Sequence, residues 1–198
     1  MSTFESVAIA PFLLPKLASM GITTPTEIQA AALPPLLEGK DAVLQAPTGT
    51  GKTLAYLLPT LSRLDPERSE LQALVIAPTH ELSMQIVQVI RELTEGTPLF
   101  VQQLIGGANI RHQVERLKKR PPIVVGTPGR LAELIASGKL KAQTVKLVVI
   151  DEVDHLLDAA FRNDVTRVLK AIPRERQTLF ASATIPAEVE DGARRWMR

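Results

Sequence analysis

Six short runs rich in apolar and β-branched residues, separated by longer stretches of helical periodicity, restrict the fold more than any other feature of this chain. They span residues 41–46, 73–77, 100–105, 123–126, 146–150 and 178–181. Several are apolar almost throughout, as in Ala73-Leu74-Val75-Ile76-Ala77 and Leu147-Val148-Val149-Ile150. A strand with one wet face alternates apolar and polar residues, whereas a strand covered on both faces does not. Between the runs, residues 81–93 set Leu82, Ile86, Val89, Ile90 and Leu93 on one helical stripe, and residues 162–172 do the same with Val165, Val168, Leu169 and Ile172. Strands alternating with helices predict an α/β domain, an open and mostly parallel sheet with helices on both faces. Ligands of such sheets bind beyond the carboxyl ends of the strands. Chemistry-bearing residues are therefore expected directly after each run.

The first run meets that expectation. It is followed by Ala46-Pro47-Thr48-Gly49-Thr50-Gly51-Lys52-Thr53 and then by the helical Leu54-Ala55-Tyr56-Leu57-Leu58. Gly49 and Gly51 let the backbone turn so that its N–H groups converge on phosphate oxygens. The helix starting there adds its positive dipole end. Lys52 can reach β- and γ-phosphates, and the Thr53 hydroxyl can ligate Mg²⁺. The general phosphate-loop pattern begins with glycine, and here that position is Ala46.

The fifth run ends in Asp151-Glu152-Val153-Asp154, about a hundred residues after the phosphate loop. Two adjacent carboxylates at the end of a Val/Ile strand are costly to desolvate unless a cation or proton transfer uses them. Beside a phosphate loop, Asp151 is expected to hold Mg²⁺ directly or through water, and Glu152 to orient and deprotonate an attacking water. The structural alternative makes Asp154 an N-cap for His155-Leu156-Leu157.

Composition removes other chemistries. The 198 residues contain no cysteine, so disulfides, thiolate nucleophiles and cysteine metal sites are excluded. His80, His112 and His155 lack metal-ligand spacing. The apolar runs are strand-sized, far below the ~20 residues of a membrane helix. Met1 to Leu14 has no basic stretch, carries Glu5, and is interrupted by Pro11, with Pro15 close behind. No signal peptide and no membrane association are expected, and the cytoplasm is the expected location. Net charge is +2, unevenly spread: residues 1–99 carry 6 basic and 10 acidic side chains, residues 100–198 carry 17 and 11. A basic second half can attract phosphate backbones, or form only a solvated surface.

With both sites present in this order, the chain resembles the DEAD-box helicases, which are built from two RecA-like domains. Ala46 is expected within that family's Ala-x-Thr-Gly-x-Gly-Lys-Thr loop. Gly21-Ile22-Thr23-Thr24-Pro25-Thr26-Glu27-Ile28-Gln29, with Phe4 upstream, is similar to the family's adenine-recognising Q motif. Pro78-Thr79-His80-Glu81-Leu82, Gly106-Gly107 and Thr127-Pro128-Gly129-Arg130 resemble its RNA-contacting motifs. Ser182-Ala183-Thr184 resembles the motif that couples ATP state to unwinding.

The resemblance implies a RecA-like P-loop domain over 1–198, with the Q-motif region in 1–30 and the second RecA-like domain absent. It implies ATP and Mg²⁺ as cofactors, and RNA and the second domain as partners. Nucleotide would be held by Phe4, Thr24, Gln29, Thr48, Gly49, Thr50, Gly51, Lys52 and Thr53, with Lys52, Asp151 and Glu152 catalytic and Thr53 and Asp151 at the metal. Pro78, Thr79, Gly107, Thr127 and Arg130 would contact RNA, and Asp154, Ser182 and Thr184 would couple the two.

The residue chemistry agrees with these assignments. The Gln29 amide can pair with the N6 and N7 edge of adenine. Phe4 can stack on the base or anchor the N-terminus in the core. Thr127 and Arg130 can hold phosphates by hydroxyl and fork, and Thr127-Pro128 also reads as a helix start, which itself binds phosphate.

Two residues depart from the family pattern. His80 stands where arginine is usual, so one contact is expected to be lost or to depend on pH. Val153 stands where alanine is usual and is expected to pack into the sheet's apolar layer. Two readings stay open beside the helicase: a P-loop ATPase acting on DNA or protein, and a nucleotide-dependent binding module without catalysis.

Overall fold

The computed structural model describes residues 3–198. Its six strands are β1 (Ala42–Gln45), β2 (Ala73–Ile76), β3 (Val101–Leu104), β4 (Ile123–Gly126), β5 (Leu147–Asp151) and β6 (Gln177–Ser182). Each coincides with one of the six runs to within a residue or so at either end. All pairings are parallel, in the order β1-β6-β5-β2-β4-β3.

The helices are α1 (Leu13–Ser19), α2 (Glu27–Leu37), α3 (Lys52–Ser62), α4 (His80–Thr94), α5 (Ile110–Leu117), α6 (Pro128–Ala136), α7 (Val153–Leu156), α8 (Arg162–Ala171) and α9 (Ala187–Trp196). They cover both faces, as the unbroken apolar strands require. On β2, Ala73 and Val75 face one core with α1 to α4, while Leu74 and Ile76 face the other with α6 to α9. Fully burying one such side chain stabilises by about 1.5–3 kcal/mol, so a strand apolar on both sides is held from both.

The expected stripe of α8 is confirmed: Val165, Val168, Leu169 and Ile172 are all buried. That of α4 is rotated slightly. Ile86, Val87, Ile90 and Leu93 are buried, while Leu82 and Val89 lie at the margin of the core. Val153 is fully buried in the second core, as anticipated.

Strand register brings the functional ends level. Gln45 pairs with Ser182, Asp151 with Ala181, and Ile76 with both Ile150 and Gly126, which pairs with Leu104. The strand order then divides this edge. The ends of β1, β6 and β5 are neighbours on one side, and those of β2, β4 and β3 on the other.

Candidate nucleotide and nucleic-acid site

β1 delivers the phosphate loop. Gly49 and Gly51 both have positive φ, +85° and +93°, a region open to glycine at little cost. Gly51 is also the N-cap of α3, and a Cβ there would lie 2.5 Å from the Gln29 amide nitrogen. The position is thus closed to side chains by conformation and by space. Thr50 donates its hydroxyl to the Pro47 carbonyl (2.7 Å). Lys52 folds its ammonium onto the carbonyls of Ala46 and, at 3.0 Å, Pro47. Thr48 and Gly49 are exposed, and Thr53 is half-buried at the start of α3.

Gln29 sits behind the loop, 2% exposed. Its Oε1 accepts from the Thr26 N–H (3.0 Å), and its Nε2 donates to the Gly51 carbonyl (3.1 Å). One amide hydrogen and one lone pair are left over. Gln29 therefore first joins α2 to the phosphate loop. The helix capping-box spacing Thr26-x-x-Gln29 signals the bond to Thr26, but not the one to Gly51. Thr24, two residues before Thr26, is exposed. Phe4, 3% exposed, packs in the first core; its placement is that of the anchor, since a ring so covered offers no open face for stacking.

β5 ends at Asp151, 5% exposed. Its Oδ2 accepts from the Tyr56 hydroxyl (2.7 Å) and its Oδ1 from the Glu152 N–H (2.9 Å). Burial pushes the Asp151 carboxyl above its usual range despite both donors. Burial, then the charge of Asp151, hold the Tyr56 phenol well above its ordinary pKa, so it stays a donor.

Each Asp151 oxygen keeps a further lone pair. One carboxylate and one hydroxyl, Asp151 and Thr53, is a donor set that suits Mg²⁺ when phosphates and waters supply the rest. Glu152 follows in the left-handed region at φ 49° and ψ 49°. That conformation costs a non-glycine residue roughly 1–2 kcal/mol, and such strain tends to collect at functional sites. It turns the chain from β5 into α7 and sends the Glu152 side chain out to partial exposure, 3.5 Å from His155 Nδ1.

Asp154 does not cap that helix. Glu152 is the N-cap, and Asp154 lies inside α7. Its Oδ2 instead accepts from the Thr184 hydroxyl beyond β6 (2.8 Å), with Oδ1 on the His155 N–H (3.1 Å). Ser182 Oγ, buried without a partner in hydrogen-bond geometry, lies close by.

Burial alone would raise the Asp154 pKa. Thr184 and Ser182, then the His155 N–H, more than offset it, so the group is held below its usual 3.8. A depressed folded pKa contributes stability that is present above 3.8 and lost as pH falls through the folded value. Thr184→Val removes the donor at nearly constant shape. NMR titration of the Asp154 carboxyl carbon is expected to show its pKa rising toward 3.8 in that variant; an unmoved pKa would show that the hydroxyl does not hold this charge.

The other half of the edge forms an open groove of about 400 Å³, lined by Pro78, His80, Gly106, Thr127, Gly129 and Arg130 among others. Thr79 caps α4 by accepting from the Leu82 N–H. Thr127 is the N-cap of α6 with Pro128 at its first position, and its hydroxyl makes no cap bond. The His80 ring faces Gly106 and Gly107. Arg130, whose side chain is 9% exposed, is committed to protein partners: Nε to Glu133 (3.0 Å) and both terminal nitrogens to the Ala108 carbonyl (3.3 Å). It ties the Gly106–Gly107 loop to α6 with three of its five N–H groups, which leaves two for a further partner.

Among the described residues no helix is long and apolar enough to cross a membrane. The DEAD/DEAH box helicase family model matches residues 26–192. The chain is 47% identical over 184 residues to the DEAD-box ATP-dependent RNA helicase CshC of Bacillus cereus, covering 93% of this chain and 47% of that protein. It is 48% identical over 171 residues to the probable ATP-dependent RNA helicase YfmL of Bacillus subtilis, covering 86% and 46%. The crystal structure of a DEAD box protein from the hyperthermophile Methanococcus jannaschii is similar with a TM-score of 0.94, at 32% identity, over 98% of this chain and 53% of that one. The chain thus spans about half the length of the curated relatives it matches.

Proposed function

Because the chain belongs to the DEAD/DEAH box helicase family, we propose that it is the nucleotide-binding, N-terminal RecA-like domain of an ATP-dependent RNA helicase. The observation that carries this reading is the meeting of three separate segments at one strand edge. The phosphate loop after β1, the acids after β5 and the Ser182–Thr184 segment after β6 adjoin, with Gln29 bonded to the loop from behind. Adenine is read by the spare donor and acceptor of Gln29, next to Thr24. The loop N–H groups from Thr48 to Thr53 and the Lys52 ammonium take the phosphates.

Thr53 and Asp151 would hold Mg²⁺, which when bound would supply charge neutralisation on the phosphate oxygens. Glu152 accepts the proton of the attacking water; its own exposure and strained backbone direct the carboxylate outward. RNA lies along the groove of Pro78, Thr79, Gly107, Thr127 and the loop that Arg130 secures, with contacts to backbone rather than bases. Such binding is indifferent to sequence. Asp154, after β5, and Thr184, after β6, tie two neighbouring segments of the nucleotide half together, so a change at the phosphates alters the segment after β6. The second RecA-like domain of the parent completes both sites, and the protein works in the cytoplasm, where ATP and RNA are at hand.

Calorimetry with ADP and GDP in Mg²⁺ tests the reading. ADP is expected to bind and GDP not, with Gln29→Ala and Lys52→Ala each weakening ADP. If GDP binds equally well and Gln29→Ala changes nothing, the adenine assignment is lost and only a generic phosphate site remains.

A further inference from the structure

Tyr56 is fully buried in α3, one helical turn after Lys52 and three residues after Thr53. Leu54, Ala55, Leu57 and Leu58 around it are wholly apolar. A phenylalanine would fill the same space, so packing does not explain the hydroxyl. Burying a hydroxyl without a partner costs roughly 1–3 kcal/mol in proteins, and this one has a specific partner, Asp151 Oδ2 at 2.7 Å.

The connection matters because of strand order. Thr53 follows β1 and Asp151 ends β5, but β6 lies between these strands. No ladder of the sheet joins the two residues. The Tyr56 hydroxyl does, across 95 residues of sequence. The second Asp151 oxygen is fixed by the backbone N–H of Glu152, so these two donors together set the carboxylate's orientation.

We propose that Tyr56 is a positioning residue, whose hydroxyl holds the Asp151 carboxylate in register with Thr53 and thereby sets how strongly Mg²⁺ strengthens nucleotide binding. This rests on the nucleotide-site reading given above. Spacings of four and three residues set Lys52 and Thr53 each one turn before Tyr56 on α3, so one helix presents the phosphate cation, one metal donor and the brace for the other.

The test is calorimetric titration of the chain with ADP, once in excess Mg²⁺ and once in EDTA, for the unsubstituted chain and Tyr56→Phe. The unsubstituted chain is expected to bind more tightly with Mg²⁺. In Tyr56→Phe, ADP affinity in EDTA is expected to be unchanged, while the Mg²⁺-dependent gain shrinks by about five- to tenfold, part of the roughly 10- to 100-fold that one hydrogen bond to a charged group is worth, since Asp151 keeps its Glu152 N–H donor. The same substitution made in an Asp151→Asn background should leave the remaining gain unaltered, because its route is through that carboxylate.

A lowered thermal midpoint with the full Mg²⁺ gain retained would reduce Tyr56 to a packing role and overturn the proposal. So would an effect of equal size in the Asp151→Asn background. If the unsubstituted chain itself shows no gain with Mg²⁺, the metal reading of the site fails, a result distinct from failure of the Tyr56 brace.

Discussion

Glu152→Gln is expected to lower ATP turnover by about 10²- to 10⁴-fold, the usual contribution of a positioned general base, when this chain is joined to the second RecA-like half proposed for its parent. ADP affinity is expected to stay unchanged, because Glu152 is partly exposed and, among the described residues, forms no hydrogen bond or ion pair with the phosphate loop. The substitution is well confined. Glutamine keeps the length of the side chain and carries the same penalty at φ 49°, so only the proton acceptor is lost. The 198-residue chain alone should hydrolyse little, since absence of an arginine finger typically costs ~10³–10⁵ in rate. Steady-state phosphate release, with and without RNA, measures both. Brisk RNA-stimulated turnover by the chain alone, abolished by Glu152→Gln, would show that no second half is required. Unaltered turnover of the joined protein would remove Glu152 from the chemistry.

Lys52→Ala weakens Mg²⁺–ADP by about 10- to 100-fold, since a hydrogen bond to a charged group contributes about 1.5–3 kcal/mol. The ammonium rests on the carbonyls of Ala46 and Pro47, and on the proposed reading it exchanges these for phosphate oxygens. The fold should survive, because Thr50 still bonds Pro47 and Gln29 still bonds Gly51. The thermal midpoint of the nucleotide-free variant is the control. Unchanged ADP affinity in a folded variant would place the phosphates elsewhere, whatever Gln29 does.

Several sites were legible as strings because their function depends on local backbone. Gly49-Thr50-Gly51-Lys52-Thr53 needs only a tight turn into a helix, and the folded loop has that form. The apolar runs Ala73–Ala77 and Leu147–Ile150 announced strands covered on both faces, and the two cores share them by alternate residues. Asp154 was harder. Sequence spacing allowed an N-cap, yet its partner, Thr184, is 30 residues away on the next strand's end. Arg130 likewise read as a phosphate ligand alone, but three of its five N–H groups bond Glu133 and the Ala108 carbonyl, partners that no local spacing announced. Tyr56 gave only an indirect signal, a polar tip inside an apolar helical turn, which a buried hydroxyl must satisfy somewhere.

Strand positions, the phosphate loop and the acidic turn were determined by sequence alone, because periodicity and turn chemistry act over a few residues. The order β1-β6-β5-β2-β4-β3 was decided only by tertiary structure. The strands β2, β4 and β5 are alike in being apolar, so local pattern cannot choose their neighbours, although the two glutamines of β3 suit its place at an edge. Packing of helices on both faces makes that choice, and with it brings Asp151 to Tyr56, Asp154 to Thr184 and Gln29 to Gly51.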